Sequence, residues 1–161
     1  MRTLTVLLIL PIFIAACSDN EQEKIDKENI AVIEKYIQAV QSKDTQTMTD
    51  LLADNYIGYG PSVSDSTNKE QAIASWKDVA ENLYDKIEYT RTVNIAARVD
   101  DGRYPGNYVS DWAALKIKYK DGRGPVILHI NAVYRVENGK INLSRSFYNE
   151  ADVLRQLGYK F

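Results

Sequence analysis

The chain has very little of what most metal and disulfide sites need. Its 161 residues include one cysteine, Cys17, and one histidine, His129. An internal disulfide needs a second cysteine, and a structural zinc site takes about four cysteine or histidine ligands. A histidine-based catalytic triad could use only His129. We therefore expect no metal and no cofactor.

Strong charge of one sign and a long hydrophobic run are missing as well. The formal net charge is −2, and no basic stretch occurs. This balance argues against nucleic acid as a partner. The apolar run over residues 4–13 is shorter than the roughly 20 residues that a membrane span needs. Any membrane contact must then depend on something other than a spanning helix.

The N-terminus instead carries a basic residue, a short apolar run and small residues ahead of the cysteine. Arg2 precedes the run, and Ile14-Ala15-Ala16-Cys17 ends it. This order is typical of a secretory signal, and Ile-Ala-Ala-Cys resembles a bacterial lipobox. The resemblance implies a signal peptide over residues 1–16, a lipid on Cys17, and anchoring at the outer membrane or cell surface of a bacterial envelope. The alternative is an ordinary signal peptide with an incidental cysteine.

A polar segment separates this signal from an apolar pattern of domain size. Residues 17–28 contain Ile25 as their one large apolar side chain. Such a segment buries too little apolar surface to order itself, so we predict a flexible tether. Residues 29–161 have the length of a single domain.

Three helices are predicted at the start of this domain. The first covers residues 27–42, Asp44 can cap a short second helix, and Asn68 with Gln71 resembles the capping box of a third. The helically spaced apolar residues of the first helix are Ile30, Ile33, Ile37 and Val40.

From Ile87 onward the sequence alternates between apolar and polar residues, with turn residues between the runs. Helices followed by antiparallel strands indicate an α+β fold. The pair Asn138-Gly139 suits a two-residue hairpin turn, and the register that follows places Ala132 opposite Arg145. A closing helix over residues 151–157 should end at Gly158.

The alternation predicts which charges face inward. It places Arg91, Asp111 and Arg145 on the inner surface of the sheet, and His129 on the outer one. Opposite a small Ala132, Arg145 has room to enter a cavity and bind an anionic group. The alternatives are a structural ion pair with Asp111 and an ordinary position at the sheet edge.

Aromatic residues add further candidates for a pocket. Tyr36 flanks the apolar stripe of the first helix, and its hydroxyl could reach a cavity. Tyr59 and Trp76 could line the cavity mouth. Each of the three could equally be packed as an ordinary core residue.

Two stretches resemble the nuclear transport factor 2-like (NTF2-like) superfamily, in its SnoaL-like branch. They are residues 33–44, and residues 134–141 continuing to 147–148 and 154–158. The resemblance implies a cone-shaped fold in which a curved antiparallel sheet wraps over N-terminal helices. A pocket opens between sheet and helices, and relatives often pair through the sheet.

Family enzymes such as ketosteroid isomerase carry carboxylates in that pocket. By resemblance, Tyr36 matches the tyrosine that holds the oxyanion. The positions matched to family acids are Gly60, Ala132, Ser146 and Asn149. Without an acid there, the resemblance implies a non-catalytic domain that binds a small ligand or a protein partner. The alternatives are a hydrolase or isomerase that uses Asp111, Arg145 and Tyr36, and an accessory subunit that forms a homodimer through its sheet.

Overall fold

A computed structural model describes the backbone of residues 15–161 and the side chains from Asn20 onward. The predicted signal peptide lies almost entirely outside these residues, and so does the side chain of Cys17. Within residues 15–161, no helix is both long enough and apolar enough to cross a bilayer.

Four α-helices and six strands make up the described part of the chain. In order they are α1 Ala15–Ser42, α2 Thr45–Leu51, β1 Leu52–Tyr59, β2 Ser66–Asn68, α3 Lys69–Asp78, β3 Tyr84–Val99, β4 Gly106–Tyr119, β5 Val126–Glu137, β6 Lys140–Tyr148 and α4 Glu150–Gln156. A π-helical turn, Val79–Leu83, joins α3 to β3. The fold is α+β, as the sequence predicts.

The predicted helix caps are present. An Asp44 carboxylate oxygen accepts the Thr47 amide at 3.0 Å. At the start of α3, Asn68 Oδ1 accepts the Gln71 amide at 2.9 Å while Gln71 Oε1 accepts the Asn68 amide at 3.0 Å. Gly158, at φ +90°, takes the left-handed conformation that ends α4. The capping signals therefore located these helix ends correctly.

The first helix is longer than its apolar stripe. α1 begins at Ala15, so the segment predicted as a flexible tether, residues 17–28, is helical. Glu23 pairs with Lys27 at 2.6 Å, one turn along the exposed face, and such pairs support a helix without apolar burial. Gln22 also donates to Asn107 at 3.2 Å and accepts from Arg98 at 2.9 Å. This segment therefore packs on the ends of β3 and β4, which polarity alone does not predict.

The six strands form one sheet in the order β2-β1-β6-β5-β4-β3. All neighbours are antiparallel except β1 and β6, which run parallel. One face of the sheet, here called the inner face, packs on α1, α3 and α4. The fully buried core there includes Ile33, Val109 and Ile141. The opposite, outer face carries no helix in the described chain.

A bulge in β6 changes the predicted register. Val136 opposes Ile141 as expected, but Arg135 opposes Leu143, which leaves Asn142 as an extra residue. Asn142 is buried, accepts from Arg135 Nε at 2.8 Å and donates to Glu137 at 2.8 Å. An extra residue in a strand turns every later side chain to the opposite face. The predicted pairing of Ala132 with Arg145 is therefore wrong. Ala132 opposes Ser146, and Arg145 opposes Val133.

A second bulge reverses the faces of β3. Tyr89 opposes Leu115 and Arg91 opposes Ala114, so Thr90 is the extra residue. The Thr90 hydroxyl donates to the Ala114 carbonyl at 2.9 Å, which satisfies a backbone group beside the bulge. Beyond this point Arg91 turns to the outer face, and its predicted inward position is wrong.

Candidate functional site

A cavity of about 570 Å³ lies between the inner face of the sheet and the helices α1, α3 and α4. This volume falls within the range of small-molecule sites, roughly 300–1,000 Å³. Aromatic side chains dominate its wall. They are Tyr36 from α1, Tyr56 and Tyr59 from β1, Trp76 from α3, Tyr84 and Tyr89 from β3, Tyr119 from β4, Tyr134 from β5 and Tyr148 from β6.

The aromatic rings support one another by edge-to-face packing. Tyr36 and Tyr134 meet with ring centroids 6.0 Å apart and planes at 63°. Tyr84 and Tyr119 meet at 5.4 Å and 81°. Such geometry places the positive edge of one ring against the negative face of the next. The wall is therefore held by contacts between several secondary-structure elements.

Burial disfavours ionisation of several tyrosine hydroxyls in this cavity. Burial raises the pKa of Tyr36, Tyr89 and Tyr134 well above the ordinary value, and burial raises the pKa of Tyr84 to about 12. The Tyr56 hydroxyl shares a 2.7 Å hydrogen bond with the Ser144 hydroxyl. The wall thus offers neutral hydroxyl groups and ring faces.

The only charged side chains among the described lining residues are two exposed carboxylates, Asp65 and Glu150. Both lie near Tyr148. Burial is the main cause that raises the pKa of this phenol, and the negative charges of Glu150 and then Asp65 raise it further. The two acids therefore give the mouth of the cavity a negative charge.

The Asp65 carboxylate lies beside Gly60, the position that the resemblance matches to a family acid. A Cβ at Gly60 would lie 2.9 Å from the Asp65 carboxylate oxygen Oδ2. The loop closes because the Gly60 amide donates to the Asp65 carbonyl at 3.2 Å and the Asp65 amide to the Ser62 carbonyl at 3.1 Å. Sequence reasoning missed Asp65, since alignment by position reaches Gly60 and cannot show which later residue folds back beside it.

Asp111 faces inward, as predicted, but lies away from the cavity wall. It is 1% exposed, and neither carboxylate oxygen has a hydrogen-bond partner among the described residues. Directly opposite on β3 is Asn94, whose buried Oδ1 is also without a partner. Burial raises the pKa of Asp111 to about 6. Asp111 and Asn94 thus place buried polar oxygens without hydrogen-bond partners in the core, outside the cavity lining.

Arg145 and Arg91 lie on the outer face, so neither reaches Asp111 or the cavity. The Arg145 guanidinium sits over the Tyr59 ring, 4.6 Å from its centroid. Arg91 lies beside Val93, Trp112 and His129 on the exposed side of the sheet. The predicted acid–arginine pair is therefore not assembled, and a pocket arginine for an anion is absent from the described lining.

The remaining predicted residues divide between cavity, core and cap. Tyr36, Tyr59 and Trp76 line the cavity, and so do Gly60 and Ser146. Ala132 is 1% exposed and packs in the core opposite Asp111.

Asn149 caps α4, where its Oδ1 accepts the Asp152 amide at 3.1 Å. The described residues contain no group of three or more histidine, cysteine, aspartate or glutamate side chains placed to hold a metal.

Comparison with known proteins agrees with this architecture. The SnoaL-like domain family matches residues 30–102. The fold is NTF2-like. A putative isomerase from Bacillus subtilis has a TM-score of 0.66 at 16% identity, covering 84% of this chain and 96% of that one. No curated protein matches the chain by sequence.

Two further solved structures show the same NTF2-like fold. An LEH-like epoxide hydrolase from M. tuberculosis has a TM-score of 0.59 at 17% identity, covering 82% of this chain and 90% of that one. A protein with a ketosteroid isomerase-like fold from Catenulispora acidiphila, in complex with trimethylamine, has a TM-score of 0.62 at 16% identity, covering 80% and 93%. At these identities the likeness concerns the fold alone.

Proposed function

We propose that this protein is an envelope-anchored lipoprotein whose NTF2-like cavity binds a small ligand without transforming it. The observation that carries the proposal is the cavity itself. Its volume of about 570 Å³ suits a small molecule. Its wall is built from aromatic rings and neutral hydroxyls, while the predicted pair of Asp111 and Arg145 is divided between the two faces of the sheet.

Native mass spectrometry of the protein purified from its own cells tests this binding role. We expect a retained small molecule that a Tyr134→Ala variant loses, because Tyr134 is a buried part of the wall. An Arg145→Ala variant is the control and should retain it. Bare protein in every preparation would contradict the proposal.

The anchor rests on the N-terminal signal and is tested separately. Replacing Cys17 with serine should leave an uncleaved precursor without lipid. Because α1 already contacts β3 and β4 at Gln22, a lipid on Cys17 would hold the domain close to the membrane. Normal processing and membrane retention of Cys17→Ser would refute the anchor and leave the cavity proposal untouched.

A second candidate function is a hydrolase or isomerase, and the position of Asp65 favours it. In family enzymes the base follows the second helix, and the Asp65 carboxylate lies where a side chain at Gly60 would be. Tyr36 in the same cavity could then hold an oxyanion. If the protein turns over an epoxide or an unsaturated ketone, Asp65→Asn should abolish the reaction. Turnover unchanged by Asp65→Asn would exclude this role.

The outer face suits an accessory role as a homodimer. Large apolar side chains are exposed there: Val93 at 52%, Ile95 at 45%, Trp112 at 52% and Phe147 at 49%. Exposed apolar surface of this kind marks an interaction site in many proteins. Sedimentation analysis should show a dimer that Trp112→Lys dissociates. A monomer at all concentrations would exclude it.

A further inference from the structure

We propose that the cavity ligand is an organic cation, a tertiary or quaternary ammonium group carried on an apolar body. This inference rests on the proposed binding role of the cavity and names the chemical class of its ligand. The observations behind it are the aromatic wall, the sign of the charges at the mouth, and the cations that the fold already places on neighbouring tyrosine rings.

The aromatic wall suits a weakly hydrated cation. Eight tyrosines and a tryptophan line the cavity. The negative face of such a ring attracts an ammonium group, most strongly where water is excluded. Tyr36, Tyr56 and Tyr134 are all under 10% exposed. A cation among them would therefore be largely removed from water.

The fold already uses two tyrosines of this wall as cation sites. Arg145 lies over the Tyr59 ring at 4.6 Å, and Arg123 over the Tyr119 ring at 5.4 Å. Within the described chain, no arginine or lysine makes this contact with Tyr36, Tyr134 or Trp76. These interior rings have no protein cation over them, whereas Tyr59 and Tyr119 each have an arginine that contacts the ring from outside the described lining.

The charges of the cavity select against an anion. The described lining contains Asp65 and Glu150 and has no lysine, arginine or histidine. Arg145 and Arg123 contact the rings of Tyr59 and Tyr119 but are themselves outside that lining. Both acids lie near enough to Tyr148 for their charges to raise its pKa beyond the effect of burial. A negative mouth on a low-dielectric cavity attracts cations and repels anions. An anionic ligand would also lose its hydration without a cationic partner, which is costly.

Three probes test the charge selectivity. Phenyltrimethylammonium and tert-butylbenzene have the same shape and differ in charge, and 4-tert-butylbenzoate adds a para carboxylate to tert-butylbenzene. We expect isothermal titration of the full chain, in a non-ionic detergent, to give binding of the cation about tenfold tighter than that of the isostere. The benzoate should bind weakest.

Variants at the mouth separate charge recognition from folding. Asp65→Asn with Glu150→Gln should weaken cation binding about three- to tenfold at low salt and flatten its salt dependence. Binding of tert-butylbenzene should not change, because both side chains are exposed and the interior wall is intact. Asp101→Asn, at an exposed turn between β3 and β4, is the matched control and should change neither affinity.

Phosphocholine distinguishes a free cation from a lipid headgroup. It carries the same trimethylammonium group beside a phosphate, which Asp65 and Glu150 disfavour. We expect it to bind more weakly than phenyltrimethylammonium. Tighter binding of phosphocholine would overturn the assignment to a free cation.

The outcomes separate this inference from the proposed function. If tert-butylbenzene binds as tightly as the cation, the cavity binds ligands but the cationic class is wrong. If 4-tert-butylbenzoate binds tightest, the class is again wrong. If none of the probes binds and the protein from its own cells carries no ligand, both proposals fail.

Discussion

The two faces of the sheet have opposite chemistry although they are built from the same strands. The inner face presents phenols, serine hydroxyls and a buried aspartate, while the outer face presents arginines and exposed apolar side chains such as Trp112 and Phe147. Successive residues of a strand point to opposite faces, so one inserted residue reverses which of the later side chains lie on each face. The bulges at Thr90 and Asn142 make this exchange in β3 and β6.

The comparison shows that position on the sheet decides what a charge can do. Asp111 is inside without a partner, and Arg145 is outside over a tyrosine ring. Had β6 continued without its bulge, Arg145 would face inward and could pair with Asp111. The difference between the faces can be tested through stability and binding.

The largest effect is expected from a charge placed on the inner face. Val109→Asp buries a carboxylate at a position with 0% exposure and should lower the free energy of unfolding by at least about 4 kcal/mol. Val99→Asp, at a 41% exposed position near the end of β3, is the matched control and should change it by less than about 0.5 kcal/mol. Urea unfolding measures both, and equal losses would contradict the two-faced sheet.

Removing the charge of Asp111 should stabilise the protein at neutral pH. Its pKa is raised to about 6 in the fold, against about 3.9 in an unfolded chain. The folded state therefore binds this proton more tightly than the unfolded state does. The stability that the bound proton contributes is present in full below pH 3.9 and is lost as the pH rises to about 6. Asp111→Asn should raise the free energy of unfolding at pH 7.5 by about 1–3 kcal/mol.

The pH series provides the check on this assignment. Between pH 4 and 7, the gain in stability from Asp111→Asn should grow as the pH rises. Asp101→Asn, exposed in a turn, should show no such growth. A gain in stability that is constant with pH would mean that protonation of Asp111 does not affect the free energy of unfolding.

A smaller effect is expected from the hydrogen bond between Tyr56 and Ser144. The two hydroxyls are buried and 2.7 Å apart, so Tyr56→Phe should cost about 1 kcal/mol of stability. The control is Tyr108→Phe, which removes a hydrogen bond from the Tyr108 hydroxyl to the Tyr104 carbonyl in an exposed setting. It should cost less than about 0.5 kcal/mol. A double variant of Tyr56 and Ser144 should show that the two losses do not add.

The smallest effect is expected on the outer face. Arg145→Ala removes the contact with the Tyr59 ring and should cost about 0.5 kcal/mol of stability. Ligand affinity should stay unchanged, because Arg145 is outside the described lining. A loss of affinity greater than about threefold would show that Arg145 takes part in ligand binding.

Local signals in the sequence predicted much of the fold and little of the site. The helix caps at Asp44 and Asn68 and the turn at Asn138-Gly139 depend on residues close in the sequence. The sequence alone was therefore enough to predict them. The bulges depend on contacts made after folding, such as those of Asn142 with Arg135 and Glu137. The strand β1, which carries Tyr56 and Tyr59, and the strand β2, which leads into α3, were not predicted as strands for the same reason.

The most direct test uses the two tryptophans of the chain, which lie on opposite faces. Trp76 lines the cavity, and Trp112 is 52% exposed on the outer face. Trp112→Phe leaves an indole only at the cavity, and Trp76→Phe leaves one only outside. When phenyltrimethylammonium is added, we predict a fluorescence change in the protein that keeps Trp76 and none in the protein that keeps Trp112. A response confined to Trp112 would contradict binding at the inner face.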